Sequence, residues 1–265
     1  MGTSAATPAW IAHIRKTAAM APAPPRHRTV ARVDRILEVV ARNHRLTLSQ
    51  IAHATQAPVS STKDLLDELT ACGYLVCRAK RYEPGPRPFV LGLVGEWASP
   101  AGIDHAELAR LSEAARAPLL LAVLAGTQVY YLDHAGPRAP KRLQDPVDQH
   151  QPRPVLRTAA GRLLLALGAP LASHVLVGLK DSDPAGFASF EQELPAIRRA
   201  RLARSDGLAD PDIRAIAVPV QVGDHVPAVV VVTGRRRGTN DRSLALDAAT
   251  RRLTTAMSAR NEGAT

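Results

Sequence analysis

Between Pro58 and Leu69 the chain presents Ser60, Ser61, Lys63 and Asp64, and Arg78, Lys80 and Arg81 follow shortly after. Such groups read base edges. A serine hydroxyl pairs with base or phosphate, a lysine with a guanine edge or a phosphate, and an aspartate with a cytosine amino group. The three later cations suit a phosphate backbone or a minor groove. Thr47 and Ser49, at the start of the preceding helical stretch, suit a phosphate. This is the chemistry of recognition, and its natural partner is double-stranded DNA.

Chemistry that makes or breaks bonds finds little support. The nine histidines show no His-x-x-x-His spacing with a partner Glu, so no metal is called for, and no Gly-x-Ser-x-Gly elbow occurs. Cys72 and Cys77 supply neither a disulfide framework nor a zinc ligand set; they read as small buried hydrophobes of a reducing compartment. Asp133 and His134 are adjacent, but neighbours on a strand point to opposite faces and make no dyad. The expectation is a protein that is no enzyme and needs no cofactor.

The recognition residues need a scaffold, and the pattern around them supplies one. Val33, Ile36, Leu37 and Val40 give a helical stripe. Thr47 and Gln50 have capping-box spacing, with Leu46 and Ile51 placed as a hydrophobic staple. Pro58 opens the next helix, whose expected inner face is Val59, Thr62, Leu65, Leu66 and Leu69. Gly73 closes it, and Leu75–Arg78 and Lys80–Glu83 read as two short strands. Helix, turn, helix and basic hairpin together make a winged helix-turn-helix. Ahead of it, Thr7, Pro8, Trp10, Ile11 and Ile14 predict a short helix within an Ala- and Pro-rich extension.

Pro84-Gly85-Pro86-Arg87-Pro88 marks a boundary. Beyond it, Ala106–Ala115 reads as a helix and Leu119–Leu124 with Val129–Leu132 as a hairpin. The segment 135–154, with five prolines, reads as extended. Helices are expected at Thr158–Leu167 and Phe190–Arg204, a second hairpin at Ile213–Val222 and Val226–Thr233, and a last helix from Asp241 to Met257. That order gives an antiparallel sheet flanked by helices. The expected divisions are 1–28 (extension), 29–88 (winged helix), 89–105 (linker) and 106–260 (second domain).

With 265 residues, 46% of them hydrophobic, the chain is long enough for two domains. Its formal charge is +10 and its pI about 10.4. Residues 1–90 carry 13 Lys and Arg against 6 Asp and Glu, so most of the excess lies in the smaller part, as binding to a polyanion requires. With no apolar run of transmembrane length and no signal-peptide pattern, the cytoplasm is expected.

Six pieces in order carry a resemblance: Leu46–Ala52, Pro58–Leu69, Cys72–Leu75, Ala114–Asp133, Thr158–Ala166 and Ile213–Val220. Over roughly residues 30–257 the chain resembles the IclR family of bacterial transcriptional regulators. The resemblance implies a mixed α/β (α+β) fold, with an N-terminal winged helix joined by a linker helix to a GAF-like antiparallel-sheet effector domain. It also implies a homodimer or dimer of dimers on a palindromic or paired operator, and a small-molecule effector. The effector positions carried over are Thr158, Ala159, Gly161, Ser205, Ala215, Val231 and Thr233. Where relatives that bind small acids have a more polar set, this chain has Ala, Val and Leu. An apolar or weakly polar effector and a vestigial, filled pocket both fit that loss. Val59 and Asp64 stand where the family commonly has basic residues. They keep open a second reading, of a scaffold or small-molecule-binding protein with a weakened DNA helix.

Overall fold

The computed structural model describes residues 28–95, 102–136, 147–168, 171, 173–236 and 240–262. The helix expected around Trp10 and part of the extended segment lie outside them. Internal contacts divide the chain into two units, Met1–Ala98 and Ser99–Thr265.

In the first unit, α1 (Arg28–Asn43) buries Ile36 and Val40 and leaves Arg28 and Arg32 exposed. A two-residue strand β1 (Leu46–Thr47) leads into α2 (Leu48–Thr55), and α3 (Val59–Ala71) follows over a left-handed Gln56. The wing is β2 (Leu75–Arg78) and β3 (Arg81–Pro84), and β1 pairs with the outer edge of β3, giving the order β1-β3-β2. Ile36, Val40, Leu46, Ile51, Leu66, Leu69, Leu75 and Tyr82 form one core, so α3 and the wing are seated on the same apolar centre. Each wholly buried aliphatic side chain there contributes about 1.5–3 kcal/mol. A short helix α4 (Arg87–Val94) ends the described part and leaves Phe89, Leu93 and Val94 exposed.

The capping box forms as the spacing predicts. The Thr47 hydroxyl accepts from the Gln50 N–H and the Gln50 side chain accepts from the Thr47 N–H, at 3.4 and 2.9 Å. Thr47→Ala is expected to cost about 1 kcal/mol, read as a lowered urea midpoint for the first unit.

The second unit opens with α5 (His105–Ala115). A six-stranded antiparallel sheet follows, built from β4 (Leu119–Ala125), β5 (Gln128–Ala135), β6 (Arg153–Pro154), β7 (Ala203–Asp206), β8 (Ile213–Val222) and β9 (His225–Arg235). Their order is β6-β5-β4-β9-β8-β7. The helices α6 (Ala159–Leu167), α7 (Ser173–Ser182) and α8 (Pro184–Ala200) lie between β6 and β7 in sequence, and α9 (Asn240–Glu262) follows the sheet. Two cores result. One joins α6, α7 and α8 to one sheet face through Leu120, Val129, Leu163, Leu179, Phe190 and Val231; the other joins α5 and α9 to the opposite face through Leu108, Leu119, Val230 and Leu253.

Several expectations are corrected. Val59 is 52% exposed rather than on the inner face of α3, because the first turn projects beyond the core. Cys72 and Cys77 are both exposed, at the helix end and on the outer wing strand. The helix expected at Phe190–Arg204 runs instead from Pro184 to Ala200, because Asp183 caps it earlier and Arg204 belongs to β7. Lys80 lies in the wing turn and not in a strand: Ala79 and Lys80 have φ of 49° and 59°. Two left-handed residues make the two-residue turn that matches strand twist, at a steric cost of about 1–2 kcal/mol for each non-glycine.

Candidate nucleic-acid interface

The outer face of α3 is built from the first turn onward. Pro58 precedes the helix without a side-chain cap, so its leading amides face outward unbonded. The Ser61 hydroxyl donates back to the Pro58 carbonyl at 3.2 Å and the buried Thr62 does the same at 2.8 Å. Ser60 and Asp64, one turn apart, are exposed, and among the described residues neither makes a hydrogen bond or ion pair. Lys63 is also exposed, but its ammonium is held by both carboxylate oxygens of Asp67, one turn on. That pairing raises the lysine above its ordinary value. Asp67 was not among the sequence-read candidates, although its i,i+4 spacing from Lys63 was there to be read.

The balance on α3 is acidic, with one lysine against Asp64, Asp67 and Glu68. Positive charge lies in the wing instead, where Arg78, Lys80 and Arg81 are all exposed, Lys80 at the apex of the turn. Ser49 is exposed on the first turn of α2, whereas the Thr47 hydroxyl is committed to the cap, donating to Gln50 Oε1 at 3.1 Å. The exposed hydroxyl and carboxylate groups thus sit on α3 and the exposed cations on the wing, both fixed to one core.

In the second unit, strand register brings Ser205, Ala215 and Thr233 into one row across β7, β8 and β9. Val231 points to the same face two residues from Thr233, against α6. Thr158 caps α6, accepting from the Gly161 N–H at 3.1 Å, and Ala159 and Gly161 are buried in its first turn. The Ser205 hydroxyl donates to the Arg157 carbonyl at 3.1 Å, tying β7 to the start of α6. Ser205, Ala215 and Thr233 thus share one row, and Ser205 ties that row to the start of α6. Thr233 is 5% exposed, and among the described residues its hydroxyl has no hydrogen-bond partner.

Two arginines near α6, Arg157 and Arg162, each meet a protein carboxylate. Arg157 gives two bonds of 2.7 Å to Asp183. Arg162 is buried, 3.2 Å from Glu193 and 3.1 Å from the Ser189 hydroxyl. Asp183 also caps α8 by accepting from the Gly186 N–H. The Arg157 hydrogen bonds, with help from that amide, hold its carboxyl below the usual carboxylate range. A lowered folded value means stability that is present above the unfolded value near 3.8 and lost as pH falls through the folded one. Arg157 is half-exposed, so the ion pair itself adds little. Asp183→Ala is expected to cost about 1 kcal/mol at neutral pH, and acid titration of unfolding should show that difference shrinking below about pH 4.

Asp133 faces His105 Nδ1 at 2.9 Å while His134 faces Asp148 at 3.2 Å, so the adjacent Asp133 and His134 side chains do not pair. Among the described residues no group of three His, Cys, Asp or Glu could hold a metal, and no helix is long and apolar enough to cross a membrane.

An exposed helix face beside a basic wing, with a six-stranded sheet in the second unit, defines a winged helix-turn-helix protein of two units. Residues 29–78 match the family model described as the IclR helix-turn-helix domain, so the first unit carries a helix-turn-helix of IclR type. Solved structures extend the likeness to the whole fold. An IclR transcriptional regulator from Alicyclobacillus acidocaldarius is 23% identical, with a TM-score of 0.58 over 88% of this chain and 97% of its own. An IclR-family regulator from Brucella abortus is 19% identical, with a TM-score of 0.57 over 87% and 92%. An IclR homologue from Microbacterium hydrocarbonoxydans, complexed with 4-hydroxybenzoate, is 21% identical, with a TM-score of 0.55 over 85% and 99%. No curated protein matches the chain in sequence.

Proposed function

We propose that this chain is a sequence-specific DNA-binding transcriptional regulator whose second unit binds a small apolar or weakly polar effector. The observation that carries the DNA reading is the division of labour in the first unit. Free Ser60 and Asp64 groups lie on α3, and Arg78, Lys80 and Arg81 lie on the wing. In this reading Ser60, Ser61 and Asp64 meet base edges, while the wing cations, Ser49 and the start of α3 meet phosphates. Lys63 reaches DNA only by leaving Asp67, so it contributes less than an unpaired lysine.

Effector binding draws support from the unpartnered Thr233 hydroxyl among apolar positions, and from the relative complexed with 4-hydroxybenzoate. To act as a switch, the effector must bind two arrangements of a paired protein with different affinity. Pairing of two copies belongs to the proposal. The exposed Phe89, Leu93 and Val94 of α4 offer apolar surface for it, and sedimentation velocity tests it. The acidic α3 and exposed Val59 favour one other reading, a protein-interaction module.

Selection of genomic fragments by the purified protein at near-physiological salt separates the two. Recovery of a paired motif, with affinity falling steeply as salt rises, supports the regulator. Fragments no better than background, with or without candidate effectors, sink it. On a recovered site, Ser60→Ala is expected to relax base preference at one position, at about 1–3 kcal/mol.

A further inference from the structure

Arg153 differs from the other arginines of the second unit. Among the described residues there, each other arginine that is wholly or partly buried meets a carboxylate: Arg162 meets Glu193, Arg214 meets Asp206, and Arg260 meets Glu107. Those that meet none, such as Arg116, Arg199 and Arg251, are exposed to water. Arg153 is half-buried and meets none.

The sheet explains where its charge is directed. Strand β6 pairs with β5 so that Arg153 stands opposite Val129. Val129 and the next residue on that face, Tyr131, both point into the core on the α6 side. Directly opposed residues share a face and diagonal neighbours lie within reach of a long side chain, so Arg153 extends beside Tyr131. Tyr131 is 7% exposed, and among the described residues its hydroxyl has no hydrogen-bond partner. Its burial pushes the phenol above its ordinary value, more than the nearby Arg153 lowers it, so the hydroxyl keeps its proton and remains a donor.

A guanidinium offers five N–H donors and does not deprotonate, and a buried phenol adds one more. Among the described residues no acceptor answers them. A carboxylate would: its two oxygens match the guanidinium fork and still accept from a hydroxyl. The face beside them is hydrocarbon, with Leu120, Ala122, Val129 and Val231. We propose that Arg153 and Tyr131 form an anion-binding subsite on the α6 face of the sheet, taking the carboxylate of an effector whose remainder is apolar. The subsite rests on the effector reading above and gives that ligand its single polar end.

The test uses matched acid and amide probes, which share shape and differ in charge: hexanoate and hexanamide, benzoate and benzamide, 3-phenylpropanoate and 3-phenylpropanamide. Binding to the full chain is measured by titration calorimetry at pH 7. At least one acid is expected to bind about tenfold or more tighter than its amide. Arg153→Met should abolish that preference and Arg153→Lys keep part of it. Tyr131→Phe should weaken the acid several-fold while sparing the amide. A preference that survives Arg153→Met, or acids and amides bound equally, overturns the subsite and leaves the effector reading standing. Binding of no probe at millimolar concentration overturns both. Retention of DNA affinity and of the calorimetric unfolding transition in each variant establishes that the losses are local.

Discussion

Gly161→Ala is expected to destabilise the second unit by about 2–4 kcal/mol. A methyl group at this position would lie 2.1 Å from the Val155 carbonyl oxygen and 2.6 Å from its α-carbon. Both are backbone atoms of the short 3-10 turn, Val155–Arg157, that leads into α6, so no side chain can rotate away. Either the turn or the helix must move, and both are buried against the sheet. The displaced elements carry Thr158, Ala159 and the Ser205 contact, so an effector response should fall with stability. Differential scanning calorimetry of the full chain checks this: the transition of the second unit should move down and that of the first should stay. Gly92→Ala is the natural control. An added methyl there meets nothing within 4 Å, and the change should be neutral or slightly stabilising by helix propensity. An unshifted second transition in Gly161→Ala would mean that α6 is not pinned to the turn.

The second large effect belongs to the wing. Replacing Arg78, Lys80 and Arg81 together by alanine is expected to lower affinity for all DNA about 100-fold at physiological salt, roughly 1 kcal/mol for each cation. The slope of log affinity against log salt should become shallower by about 3. All three side chains are exposed, so the fold should survive. The acidic balance of α3 is the reason a large effect is expected: in the proposed complex α3 adds little attraction for a polyanion, and the wing supplies it. If fluorescence anisotropy over a salt series finds the slope unchanged, the phosphates are met elsewhere, and the arginines of α1 become the place to look.

Local signals made much of this architecture legible. Thr47 with Gln50, the helix expected to open at Thr158, and the hairpin of Ile213–Val222 with Val226–Thr233 each follow from local residues, and the structure has all three to within two residues. Where the outcome depends on what arrives from elsewhere in the chain, the sequence is silent. The edge strand β1 exists because β3 comes back to pair with it. Cys77 is exposed because its strand faces water, and nothing in its neighbours says so. The buried state of Arg162 depends on a helix some thirty residues later bringing Ser189 and Glu193. The exposed face of α3 was largely visible, but its electrostatics were not. Lys63 reads as a free cation until Asp67 is seen holding it.

The sheet of the second unit is a partition one backbone thick. Along β9, Val229 and Val231 belong to the core beneath α6, while Val230 and Val232 belong to the core beneath α5 and α9. Neighbours in sequence are thus strangers in packing. Rotamer changes that a ligand makes on the α6 side stop at this wall, because no side chain passes through it. A displacement of β4 or β9 as a whole is felt on both sides at once, because each strand is the floor of two rooms. If a ligand beneath α6 is to be noticed by α5, the first helix of the unit, the message is a movement of main chain, and its bearers are the two strands at the middle of the sheet.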